Sequence, residues 1–241
     1  MTSRDLRAAK DEREAERQAI LDRTAARYAW YTETGYADRW RIENEGQRAS
    51  ALERSAFLVD ALSPALGGTV LDFGCGAGEL AVLLESVAHR PARFIGIDLV
   101  ESNVAAARHA APWAEFLMGS ADALPLADAS VEAACAMTLL SSLVEPWFRE
   151  RVLVEVDRVI RPGGRFVVYD LRYPSPGNPA VRPVSAGELR HAFPEWRMTV
   201  RAMTLLPPLA RHWPGATTTG YRLLARLPAL RSHLGVVLVR P

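Results

Sequence analysis

The stretch Val70-Leu71-Asp72-Phe73-Gly74-Cys75-Gly76-Ala77-Gly78 constrains this chain more than any other. An apolar run ends on an acid, and three glycines alternate before helical spacing begins at Glu79. Glycine tolerates positive φ and carries no side chain, so a ligand can approach the backbone while amides of the following helix turn toward it. About twenty residues later a second apolar run, 94–97, ends on Asp98, where a neighbouring strand would aim a carboxylate at a ribose diol. The dinucleotide fingerprint needs GxGxxG, and here the third glycine arrives one residue early, which disfavours NAD.

Around this loop, short apolar runs alternate with helical patterns. Residues 69–73, 94–99, 115–118, 131–137 and 165–169 read as strands, and 79–88, 103–111 and 146–160 as the helices between most of them. Strands apolar at consecutive positions are buried on both faces, and crossover helices let parallel strands neighbour one another, so a doubly wound parallel sheet follows. Ser185 with Glu188 forms a capping box, and Arg161-Pro162-Gly163-Gly164 reads as a turn. Two further strands, 197–205 and 234–240, flank a proline-containing stretch at 206–233. Upstream, residues 48–62 form a helix, and 4–27 a helix of alternating charges followed by Tyr28, Trp30, Tyr31, Tyr36 and Trp40.

Composition excludes several classes. With 241 residues, 49% hydrophobic and 24% charged, the chain suits one globular domain. A formal net charge of +1 gives no broad reason to expect nucleic acid or an anionic membrane. Cys75 and Cys135 make no disulfide framework, the five histidines show no metal-ligand spacing, and no leader or membrane span is evident. The expectation is a cytoplasmic protein without a metal.

In order, Asp72 to Gly78, Asp98-Leu99, Gly119 to Pro125 and Arg158 to Gly164 resemble the motifs of class I S-adenosylmethionine-dependent methyltransferases, in particular their small-molecule branch. The resemblance implies an α/β, Rossmann-like, seven-stranded, mostly parallel sheet with helices on both faces and an antiparallel last strand beside the fifth. It implies S-adenosylmethionine as cofactor and S-adenosylhomocysteine as product. Asp72, Gly74, Cys75, Gly76 and Gly78 would face the methionine part, Asp98 the ribose and Leu99 the adenine, with Ser120, Ala121 and Asp122 near the adenine and Thr138 completing the set. Many relatives carry an aspartate at Ser120, so either Ser120 or Asp122 takes the adenine amine. Cys75 is packing filler rather than a nucleophile. The segment Met137-Thr138-Leu139-Leu140 differs from the motif of base-modifying relatives, which favours a small acceptor over DNA or RNA.

Methyl transfer from a sulfonium is an in-line displacement, so holding the acceptor is the main task. Groups near it should follow the fourth and fifth strands: Ser141, Ser142 and Tyr169, with Asp170 as candidate base and Arg172 beside it. Tyr28, Tyr31, Tyr36, Trp40, Tyr173 and Arg211 are candidate acceptor contacts; His191 and His212 are weaker ones. Residues 1–47 are expected to form a helical, aromatic lid segment, 48–241 the cofactor-binding domain, and 206–233 an insertion walling the acceptor pocket. Two alternatives stay open: a protein of this fold that binds the cofactor without methylating, and a nucleotide-dependent oxidoreductase.

Overall fold

Seven strands form one sheet: β1 (Thr69–Phe73), β2 (Arg93–Asp98), β3 (Glu115–Met118), β4 (Val131–Met137), β5 (Ile160–Leu171), β6 (Arg197–Leu205) and β7 (Arg231–Val239), in the order β3-β2-β1-β4-β5-β7-β6. The computed structural model describes residues 3–34, 42–175, 178 and 180–241. The pairs β1–β2, β2–β3, β1–β4 and β4–β5 are parallel, while β7 runs antiparallel to β5 and β6. The expected insertion of the last strand beside the fifth is what the sheet has. It starts earlier than expected, at Arg231, because its ladder extends to Leu205. β5 likewise starts at Ile160, and the Arg161–Gly164 turn lies inside it as an irregularity, with Gly163 at φ 78°.

Alternate residues of each strand feed two cores. Leu71, Phe73, Ala134, Ala136, Phe166 and Val168 pack against α5 (Pro146–Val159) and α6 (Ala186–Ala192), joined by Ile20 and Leu21 of α1 (Ser3–Glu33). Val70, Ala133, Cys135, Val167 and Tyr169 pack against α2 (Glu45–Leu62), α3 (Glu79–Ser86) and α4 (Glu101–Ala110). Each such Val, Leu or Phe taken fully out of water contributes about 1.5–3 kcal/mol, which is why both faces must be covered. Asp72 and Asp98 share the alternation of the second face, so both carboxylates emerge on the side of α2 and α3.

The strand order reverses between β1 and β4, and the loops leaving their carboxyl ends diverge there, opening a crevice. Because β7 is antiparallel, its first residues and the last of β6 reach the same edge. The insertion between them, with α7 (Pro207–Arg211) and α8 (Thr218–Leu224), therefore sits at that edge and packs on α2.

Candidate functional site

The loop after β1 is built as its glycines require. Gly74, Gly76 and Gly78 lie at φ 65°, 51° and 85°, and Gly78 caps α3. Gly74 leaves room for Leu139, whose Cδ1 would sit 2.9 Å from an added Cβ, whereas a Cβ on Gly76 would meet open space. The loop is tied to β2. Gly74 and Cys75 donate their amides to the Ile97 carbonyl at 2.8 and 3.0 Å, and Gly76 donates to Asp98 Oδ2 at 2.9 Å. Asp98 Oδ1 accepts from Val100 N at 2.9 Å and Asn103 Nδ2 at 3.2 Å. Asp98 thus shapes two loops at once while keeping lone pairs for a ligand. Burial pushes the Cys75 thiol up, in keeping with packing filler.

Asp72 is the anomaly. It is 1% exposed, and neither carboxylate oxygen has a hydrogen-bond partner among the described residues. Burial foremost, then the charges of Asp98 and Glu79, holds its carboxyl well above the usual carboxylate range. A buried carboxylate without donors is costly, and folded proteins rarely leave one unless something else supplies the donors.

α1 crosses the carboxyl edge of the sheet on a series of polar latches. Arg17 grips Asp122 through Nε (2.7 Å) and Nη2 (2.9 Å), Trp147 Nε1 donates to Glu16, Arg23 pairs with Glu145, and Arg27 donates to the Ala180 carbonyl. Ser142 Oγ spends its proton on the Thr138 carbonyl, so the Tyr28 hydroxyl donates to Ser142 Oγ at 2.8 Å. Tyr28 is half-buried, and burial raises its pKa more than the Ser142 contact lowers it, with the Asp98 charge adding a smaller rise. Tyr31 stands edge-on to Tyr28 at 5.5 Å. Tyr36 and Trp40 lie outside the described residues.

Other expected site residues have tasks visible in the structure. Asp122 carries Arg17, Arg151 and the Ser120 hydroxyl, with Ser120 Oγ at 2.5 Å, so its carboxylate anchors α1; Ala121 and Leu99 are half-buried against the first core. Asp170 is 0% exposed and accepts amides from Ser141 (3.1 Å) and Leu171 (2.7 Å), which makes it a positioning group for the loop after β4 rather than a base open to a ligand. Burial raises its pKa against the lowering by those amides. Arg172 donates to the Pro228 carbonyl and lies over Tyr173, at 4.7 Å, instead of pairing with Asp170. Thr138 is exposed at φ 54° with its hydroxyl on the Met137 carbonyl. Arg211 ends α7, where its carbonyl accepts from Asn44. His191 and His212 are exposed.

A second group gathers around Tyr169, and its other members escaped the sequence. Tyr169, at the end of β5, stacks on His233 at 4.7 Å and 8°, and its hydroxyl meets Thr204 Oγ1 at 2.7 Å. Thr204 holds φ 59°, costly for a β-branched residue, through a 3.0 Å bond from its amide to Glu53 and a 3.1 Å bond from Ser232 Oγ to its carbonyl. With the Ser232 proton so used, His233 Nδ1 donates to Ser232 Oγ at 2.8 Å, leaving the Nε2 lone pair without a partner among the described residues. Burial, then Arg54, brings the His233 pKa down to about 4, so the ring is neutral at physiological pH. Arg54 lies 5.9 Å from the Tyr169 ring centre and a loose 3.9 Å from Glu79, at the start of α3. In sequence these residues are separated by up to 180 positions and carry no motif.

The profile described as "Methyltransferase domain" matches residues 71–168, spanning the glycine loop, Asp98 and β4 to β5. A second, described as "Protein-L-isoaspartate(D-aspartate) O-methyltransferase (PCMT)", matches residues 3–112. Residues 71–168 are a methyltransferase domain of the class I S-adenosylmethionine-dependent type. The chain is 40% identical over 122 residues to the phthiotriol/phenolphthiotriol dimycocerosates methyltransferase of Mycobacterium tuberculosis, covering 49% of this chain and 42% of that one. It is 39% identical over 108 residues to the fatty-acid O-methyltransferase of Mycolicibacterium smegmatis, covering 44% and 38%. The matched regions span less than half the length of these curated relatives. In fold, the chain resembles the geranyl diphosphate C-methyltransferase of Streptomyces coelicolor solved with S-adenosylhomocysteine, at a TM-score of 0.57 and 17% identity, covering 77% of this chain and 74% of that one. No helix among the described residues is long and apolar enough to cross a membrane.

Proposed function

We propose that this chain transfers the methyl group of S-adenosylmethionine to a small-molecule acceptor held beneath α1, over the ends of β4 and β5. The observation that carries the reading is Asp72, a buried carboxylate whose two oxygens have no donors among the described residues, at the start of a loop that leaves open space at Gly76. An amino-acid ammonium supplies what that carboxylate lacks, and Arg54, loosely held by Glu79, suits the matching α-carboxylate. Asp98 faces the ribose and Ser120 the adenine, Asp122 being committed to α1. The cofactor brings a methyl group already activated on a sulfonium, so the protein's own work is to bind, orient and exclude water. Tyr28, latched to Ser142, closes the crevice from above.

His233 is our candidate for orienting the acceptor. A neutral imidazole with its tautomer fixed by Ser232 presents Nε2 as a hydrogen-bond acceptor toward an O–H or N–H on the incoming molecule. With a pKa near 4 it stays in that state across the physiological range and serves as a director of the acceptor more than as a strong base. His233→Ala is expected to slow methyl transfer about tenfold, the worth of one hydrogen bond of ~1.4 kcal/mol, with S-adenosylhomocysteine affinity within about twofold of wild type. A parallel loss of S-adenosylhomocysteine affinity would assign His233 to the cofactor instead.

Calorimetric titration with S-adenosylhomocysteine, with NADH as control, tests the cofactor. Labelled methyl transfer to a panel of fatty acids, phenols and alcohols then tests the reaction. Saturable binding of NADH and not of S-adenosylhomocysteine would make the chain an oxidoreductase. Cofactor binding without label transfer to any acceptor would favour the non-methylating reading.

A further inference from the structure

Away from the crevice, α2 and α8 face each other across a groove of about 600 Å³. On α2 the lining residues are Glu45, Arg48, Ala49, Leu52 and Glu53, which recur over three successive turns and so extend roughly 11–12 Å along one helix face. Across from them stand Tyr221, Arg222, Ala225 and Arg226, and Arg231 of β7 closes the end. The small side chains Ala49 and Ala225 keep the two helices from filling the space between them, and the floor stays apolar, with Leu52 left 64% exposed.

The charges around this trough do not balance. Both carboxylates hold its walls together. Glu45 accepts from the Thr218 amide and hydroxyl, each at 3.0 Å, and Glu53 takes the Tyr221 hydroxyl at 2.6 Å, the Thr204 amide and Arg231. Arg222 and Arg226 are exposed and make no ion pair among the described residues, while exposed Arg48 acts on the Glu45 carboxylate of its own helix from beyond ion-pair distance. Arg222 and Arg226 are also one helical turn apart, where like charges repel. Two guanidinium groups without an ion pair among the described residues, with Arg48 opposite them, therefore rim one apolar trough in a chain of net charge +1.

We propose that this groove binds a single-chain anionic amphiphile, with a phosphate or carboxylate head against Arg48, Arg222 and Arg226 and its alkyl chain along Ala49, Leu52 and Ala225. Guanidinium forks bind such heads bidentately, and the trough offers the chain an apolar bed out of water. The site is separate from the cofactor crevice and does not rest on the methyl-transfer reading.

Calorimetry with decyl phosphate, below its micelle concentration, tests it directly. Saturable one-to-one binding is expected, with inorganic phosphate at least tenfold weaker and decyltrimethylammonium not binding. The double variant Arg222→Gln, Arg226→Gln should lose at least tenfold in decyl phosphate affinity, and Leu52→Gln several-fold, both with unchanged melting temperature and S-adenosylhomocysteine affinity. Undiminished binding to the double variant, equal binding of the cationic amphiphile, or no binding of decyl phosphate overturns the proposal. So does binding to phosphatidylglycerol vesicles without binding of free decyl phosphate, which would make this face a membrane contact. Because S-adenosylhomocysteine is titrated separately, a failure here leaves the cofactor assignment standing, and the reverse also holds.

Discussion

Asp72→Asn is expected to raise the melting temperature of the ligand-free protein at neutral pH and to weaken S-adenosylhomocysteine binding roughly 30-fold, about 2 kcal/mol for a charge-assisted hydrogen bond. Both effects come from one fact: the carboxylate is buried without a donor, with Asp98 and Glu79 adding repulsion. A carboxyl whose pKa rises on folding gives its full stability below the ordinary carboxylate range and loses it as pH climbs through the raised value. Near neutrality the wild type therefore carries a folding cost at Asp72, and asparagine removes it. Its amide is also unsatisfied there, but a buried neutral amide costs less than a buried charge. The advantage of the variant in melting temperature should shrink as pH is lowered and Asp72 takes up its proton. Over the same window, wild-type affinity for S-adenosylhomocysteine should fall, since the protonated acid no longer attracts an ammonium. Thermal melts and titrations at several pH values check both curves. A variant that melts lower and binds equally well would remove Asp72 from the ligand site.

What the sequence made legible is what is local. The glycine loop announces itself because three positive-φ positions must be glycine, and β1, β3, β4 and β6 have the bounds their apolar runs suggest. Half of the expected capping box is present: the Ser185 side chain accepts from the Glu188 amide at 3.0 Å, while the Glu188 carboxylate goes to Arg149 and Arg182. Depth and long-range pairing were not legible. Asp170 follows a strand as a catalytic acid would, yet periodicity carries no measure of how far a strand end is buried. The alternating charges of α1 read as a solvated face, and most are exposed, but Arg17 finds its carboxylate 105 residues away. The same pairing withdraws Asp122 from the adenine and leaves Ser120 nearer that task. His233 looked like one scattered histidine because what fixes it, the strained Thr204 held by Glu53, comes from two other elements.

Arg149→Ala should be the most destabilising single change among the residues that frame the crevice. The side chain of Arg149 is 0% exposed, and one guanidinium joins three segments. Nε donates to the Leu143 carbonyl at 3.1 Å, Nη2 to the Arg182 carbonyl at 2.9 Å, and Nη1 to the Pro183 carbonyl and both Glu188 oxygens at 3.1–3.2 Å. Burial lowers its pKa and Glu188 raises it, but a guanidinium starts so high that it stays charged. Alanine leaves a cavity, three carbonyls without their donor and a half-buried Glu188 without its main cation. Breaking a buried pair by removing one partner costs about 3–5 kcal/mol. At roughly 2–4 °C per kcal/mol for a chain of this size, the melting temperature should drop by about 10 °C. Arg149→Lys should recover little, since a single ammonium cannot reach all these acceptors in the fork's geometry. Leu143 follows β4 and Arg182 follows β5, the two loops over which we place the acceptor, whereas the glycine loop lies on the other side of the strand reversal. Below its melting temperature, Arg149→Ala should therefore lose methyl transfer while binding S-adenosylhomocysteine nearly as well as wild type. A melting temperature within about 2 °C of wild type would mean that the carbonyls find other donors and that the guanidinium does not hold the two loops.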